Sequence, residues 1–113
     1  YLQYTYARTR SLLAKAEGKK ANLEQIPEGD IIPLHRYVLR YPEIVERAMR
    51  ERESHHVATY LIELAREFNS FYGNTVVLDG AADEAYKLAL VQVTSHVMEK
   101  GLGLLAIPAP DRM

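Results

Sequence analysis

The stretch from about His55 to Tyr72 commits this chain to helix. Its apolar residues Ala58, Leu61, Ile62, Ala65, Phe68 and Tyr72 recur at steps of three, one and four, the spacing that lines one face of an α-helix. Ser54 stands ahead of the run where a capping hydroxyl belongs, and Gly73-Asn74 stands behind it as a stop. A helix with a single apolar stripe must bury that stripe against other elements. The rest of the chain, 113 residues in all, supplies them and suits one domain spanning residues 1–113.

The remaining segments keep the helical period. From Tyr1 to about Glu17, Leu2, Tyr6, Leu13 and Ala16 share one side, and Gly18 is placed to end the helix. No capping residue precedes Tyr1, which leads to the expectation that the chain is a piece of something longer. Gly18 to Gly29 is polar and broken by Pro27, so it reads as a loop. Asp30 can cap a short helix through Leu34, Tyr37, Val38 and Tyr41. Pro42 ends that helix and fits the first turn of the next, which carries Ile44, Val45, Ala48 and Met49 before the charged run Arg50 to Glu53. Thr75 to Leu78 is a short β-prone piece, and Asp79-Gly80 a turn. Asp83 and Glu84 open a last long helix expected to bury Ala85, Leu88, Ala89, Val93 and Val97 and to end at Lys100-Gly101. The proline-spaced residues after Ile107 form an extended tail. The expectation is an all-α bundle of about five helices.

Familiar catalytic patterns fail residue by residue. His55 and His56 are adjacent on a helix and point about 100° apart, unlike an i, i+4 zinc pair, so no metal is expected. Gly18-Lys19-Lys20 lacks both the upstream glycine and the hydroxyl of a phosphate-binding loop. Glu63 and Glu67 read as a solvated helix stripe. Without cysteine there is neither disulfide nor thiolate chemistry, which is compatible with a reducing cytosol. No apolar run nears the roughly 20 residues that span a bilayer, so no membrane partner is expected.

Binding is the chemistry that remains, and its material is tyrosine: eight of them, against two phenylalanines and no tryptophan. A tyrosine ring stacks on flat partners while its hydroxyl makes hydrogen bonds. Unpaired RNA bases are commonly held on such rings, with arginine as a second planar surface. Tyr1, Tyr4, Arg8 and Ser11 line one stripe of the first helix, apart from the Leu2, Tyr6 and Leu13 side. The same spacing also suits rings packed against a neighbouring helix. Internal packing is the expectation for Tyr37, Tyr41 and Tyr60. The net charge of −1 is not that of a generic nucleic-acid binder, but residues 1–20 concentrate Arg8, Arg10, Lys15, Lys19 and Lys20 against Glu17 alone.

Three stretches together carry a resemblance: Tyr1-Leu2-Gln3-Tyr4-Thr5-Tyr6-Ala7-Arg8, the central Tyr60-Leu61-Ile62-Glu63-Leu64-Ala65 continuing to Phe71-Tyr72, and a proline-bearing tail closing on Arg112-Met113. In that order they resemble the C-terminal anticodon-binding domain of arginyl-tRNA synthetases over essentially the whole chain. The Asp-Ala-Leu-Arg tetrapeptide that names the superfamily is not literally present; Asp83-Glu84-Ala85-Tyr86-Lys87-Leu88 stands in its helix. Ala106 stands where the family often has glycine. The resemblance implies that Tyr1, Tyr4, Tyr72 and Met113 surround a tRNA anticodon loop. To these are added Arg8 for a phosphate or base, Arg112 near the tail, and Arg10, Lys15 and Lys19 for phosphates. It also implies a cytoplasmic arginine–tRNA ligase. The partners would be the anticodon stem-loop of tRNA(Arg) and the enzyme's own catalytic domain. ATP would be used by that domain, whose His-x-Gly-His and Lys-Met-Ser-Lys motifs are absent here, so the chain alone would need no cofactor. The competing expectation is a helical module that docks on another protein, marked by an exposed apolar patch.

Overall fold

The computed structural model describes residues 1–16, 33–53, 55–74 and 84–105. Among them are five α-helices: α1 (Leu2–Lys15), α2 (Pro33–Val38), α3 (Tyr41–Glu51), α4 (His55–Asn74) and α5 (Glu84–Leu104). The expected all-α bundle is the observed architecture. The loop after Gly18, the Asp30 and Ser54 caps, the Thr75–Leu78 piece with its turn, and the tail from Ala106 lie outside the described residues.

The last helix, α5, is the axis of the bundle. Tyr86, Leu88, Leu90, Val91, Met98 and Leu102 are all within 1 % of full burial, and they face several directions around it. That happens because α1, α2 and α4 all pack against it. The expected single stripe is therefore too narrow: Ala85 and Val93 are only half-buried, while Tyr86 to Val91 between them are enclosed. The expected stop at Lys100-Gly101 is also corrected, since the helix runs on to Leu104. Gly101 serves packing instead. A Cβ built there would lie 2.7 Å from a methyl of Leu61, so its bare backbone is what lets α4 approach.

Helix α4 turns a different face inward from the one its clearest stripe marks. Val57, Tyr60, Leu61, Leu64, Ala65, Phe68 and Phe71 are buried, whereas Ile62 is exposed and Ala58 half-buried. The period is right, but the stripe is rotated. Replacing a wholly enclosed residue such as Leu61 by alanine costs about 2–5 kcal/mol.

The short helices follow their punctuation. Tyr41 opens α3 rather than ending α2, and Pro42 sits in the first turn where its missing N–H is no loss. At the far end Arg52 takes the left-handed conformation, φ 56°. The amides of Arg52 and Glu53 then donate to the carbonyls of Met49 and Ala48, at 3.3 and 3.0 Å, the Schellman arrangement. That turn delivers the chain into α4. Two polar groups find partners across the short helices: His35 Nδ1 meets the Tyr86 hydroxyl at 2.8 Å, and the Tyr60 hydroxyl donates to the Tyr37 carbonyl at 2.6 Å. Glu63 is not a solvated stripe residue, because the half-buried Tyr37 hydroxyl donates to it at 2.7 Å.

Candidate nucleic-acid interface

Four of the residues chosen from sequence come together on one surface. Helix α1 crosses the C-terminal part of α4 with Thr5, Tyr6, Ala7 and Thr9 turned inward. That leaves the adjoining stripe of Tyr1, Tyr4 and Arg8 at the seam between the helices. Tyr72 rises beside it from α4. Tyr1, Tyr4 and Tyr72 are 63, 51 and 38 % exposed, so the packing reading of the two first-helix rings does not hold. Tyr72 leaves the core because the buried face passes through Phe68 and Phe71.

The organiser of the cluster is Asn69, which the sequence reading did not single out. Its carboxamide oxygen accepts from Arg8 Nη1 at 2.8 Å. Its nitrogen donates to the Thr5 hydroxyl at 3.0 Å and the Tyr1 hydroxyl at 3.1 Å. One side chain of α4 thus fixes Thr5 and Arg8 of α1 and Tyr1 at its N-terminus. A signal existed: asparagine is a poor helix former, and this one stands inside a strongly helical run, one turn before Tyr72.

Arg8 is held from every side. Its Nη2 donates to the Tyr4 hydroxyl at 2.7 Å, and its guanidinium carbon lies 4.9 Å from the Tyr4 ring centre and 4.4 Å from that of Tyr72. Cation–π contacts of this kind contribute about 0.5–2 kcal/mol, depending on how dry they are. The space between the two rings is therefore occupied by a planar cation. The cluster is a shelf of three flat groups, not an empty slot, and Arg8 Nε has no hydrogen-bond partner.

Helix α1 carries no acidic residue. Arg10 and Lys15 stand exposed on it, and Lys15 in the last turn is favoured by the helix dipole. Lys19, Arg112 and Met113 lie outside the described residues. Chemically, the surface can stack planar groups, donate hydrogen bonds and attract anions.

Comparison with known proteins bears on what such a surface meets. Residues 2–113 match the family model described as the DALR anticodon binding domain. The whole chain aligns at 39 % identity with the arginine–tRNA ligase of Oenococcus oeni, covering 20 % of that protein. With the ligase of Lactobacillus delbrueckii subsp. bulgaricus the identity is 37 %, covering 21 %. Among solved structures, Thermus thermophilus arginyl-tRNA synthetase superposes on the whole chain with a TM-score of 0.84 and 34 % identity, over 21 % of its own length. The chain spans about one fifth of the length of the relatives it matches.

Proposed function

This chain belongs to the DALR anticodon binding domain family, and from that premise we propose that its tyrosine–arginine shelf receives unpaired bases of the anticodon loop of an arginine tRNA. It would do so as the recognition part of an ATP-dependent arginine–tRNA ligase. The observation that carries the reading is the convergence of Tyr1, Tyr4 and Arg8 with Tyr72 of α4, the three rings exposed, with Asn69 bracing Tyr1 and Arg8 and Arg8 in turn meeting Tyr4 and Tyr72. Bases stack on ring or guanidinium faces with about 1–3 kcal/mol each, whatever their identity. Because the groups are already braced, little side-chain freedom is lost on binding. Stacking alone cannot select arginine tRNA. Every arginine codon has a central G, so a central C is the one anticodon base that can be demanded of all isoacceptors. Its edge must be read by hydrogen bonds, each bidentate pair adding about 1–3 kcal/mol of discrimination. The tail carrying Arg112 and Met113 is proposed for that reading.

The test is a titration with arginine and non-arginine anticodon stem-loops. Tyr4→Ala and Tyr72→Ala are expected to weaken binding about 5- to 100-fold, as loss of one stacked base implies. Lys15→Ala should lower affinity evenly across sequences and reduce the salt slope by about one. Equal affinity of both tyrosine variants and the parent chain would remove the shelf from the site.

One observation favours an additional docking role. An open groove of about 600 Å³ lies between α3 and the end of α5, walled by Tyr41, Pro42, Val45, Met49, Lys100 and Leu104. Met49 and Leu104 stand 74 and 54 % exposed there. An apolar trough in a chain that spans a fifth of its relatives supports contact with the rest of such an enzyme.

A further inference from the structure

The junction between α3 and α4, at the opposite end of α4 from the shelf, gathers groups that the RNA reading leaves unused. One donor atom each of Glu53, His55 and His56 lie within 4.8 Å of one another. His55 Nδ1 is 3.3 Å and His56 Nε2 is 3.7 Å from the same oxygen of Glu53. A second carboxylate, Glu51, approaches His56 Nε2 at 2.6 Å.

We propose that Glu53, His55 and His56, with Glu51 beside them, form a binding site for a divalent transition-metal ion of the zinc class. Zinc bonds to imidazole nitrogen and carboxylate oxygen of about 2.0–2.2 Å in a tetrahedron place neighbouring donors roughly 3.3–3.5 Å apart. Two of the spacings seen here already fall at or just above that range. The donor set, imidazole with carboxylate, is the one that borderline ions take.

The adjacency of the two histidines is no obstacle. They leave the helix about 100° apart, but they present different ring nitrogens, Nδ1 from His55 and the farther-reaching Nε2 from His56. The rings tilt together, with centres 4.1 Å apart. Glu53 precedes α4 and owes nothing to its spacing, because the left-handed Arg52 turns the chain there.

Ion pairing alone explains the cluster poorly. The Glu53 oxygen stands between the two rings, 3.3 Å from one nitrogen and 3.7 Å from the other, longer than well-formed hydrogen bonds. His56 Nε2 is also buried without an aligned hydrogen bond, although the Glu51 oxygen lies so near. A dication held between His55, His56 and Glu53 would give all three a common partner. The ion would bridge α3 and α4 across their turn.

The experiment is a titration of the tag-free chain with zinc chloride by calorimetry, with cobalt(II) chloride as a coloured probe. Saturable one-to-one zinc binding is expected, with the visible bands of tetrahedral cobalt. His56→Ala and, separately, the exposed His55→Ala should each weaken zinc binding at least about tenfold, whereas His96→Ala on α5 should not. Helix content followed by circular dichroism identifies a variant that has unfolded, and the exposure of His55 keeps its variant informative. Absence of saturable binding, or affinity indifferent to both His55 and His56, overturns the site.

Discussion

Asn69 is wedged between two helices, and its carboxamide bonds Thr5 and Arg8 of α1 and Tyr1 just ahead of it. Thr5, one of those partners, is fully buried. Removing the amide would leave that hydroxyl, and the Arg8 guanidinium, short of a partner, and a buried polar group left so costs about 1–3 kcal/mol. Asn69→Ala is therefore expected to destabilise the fold by that amount, read as a lower urea midpoint with an unchanged slope. Asn69→Asp should be milder, because a carboxylate still accepts from Arg8 and the Thr5 hydroxyl can turn to donate. Equal stability of the parent and both variants would show that the bracket contributes nothing.

Among elements, the end of α5 offers two glycines with opposite expectations. Each weakens a helix by up to about 1 kcal/mol relative to alanine. At Gly103 an added Cβ meets nothing within 4 Å, so Gly103→Ala should stabilise by up to about 1 kcal/mol. At Gly101 it would meet Leu61 Cδ2 at 2.7 Å and Cδ1 at 2.8 Å, and Leu61 is wholly enclosed. Overpacking of a tight core costs about 1–3 kcal/mol, which outweighs the gain in propensity. Thermal melts of the two variants should move in opposite directions. A rise in both would mean that α4 and α5 are not in contact at this point.

For the whole molecule, three tyrosines tie stability to alkaline pH. The Tyr60 ring lies against both Tyr37, at a centre spacing of 6.1 Å, and Tyr41, at 6.0 Å. The hydrogen bond to Glu63 raises the Tyr37 hydroxyl, while burial raises Tyr41 and, most strongly, Tyr60. An unfolded tyrosine loses its proton near pH 10. Above about that value the unfolded chain binds fewer protons than the folded one, so stability must fall as pH rises. The melting temperature should be level from about pH 8 to 9 and decline beyond about 10. Tyr60→Phe should flatten the decline while lowering stability at neutral pH through loss of its bond to the Tyr37 carbonyl. An unchanged alkaline slope in that variant would assign the loss to other groups.

What the sequence determined by itself was local: the helical period, the proline in the first turn of α3, and the Tyr1, Tyr4 and Arg8 stripe, all set by spacing within a few residues. The motifs at Tyr1–Arg8 and Tyr60–Tyr72 also pointed to the family. Which face of α4 is buried, the service of Gly101 as a contact rather than a stop, and the meeting of Asn69 with Tyr1 were decided only by tertiary structure. The same holds for His55 and His56, whose reach toward one point depends on a turn made at Arg52. These depend on where another helix lies, and a periodic pattern fixes that a face exists without fixing its neighbour.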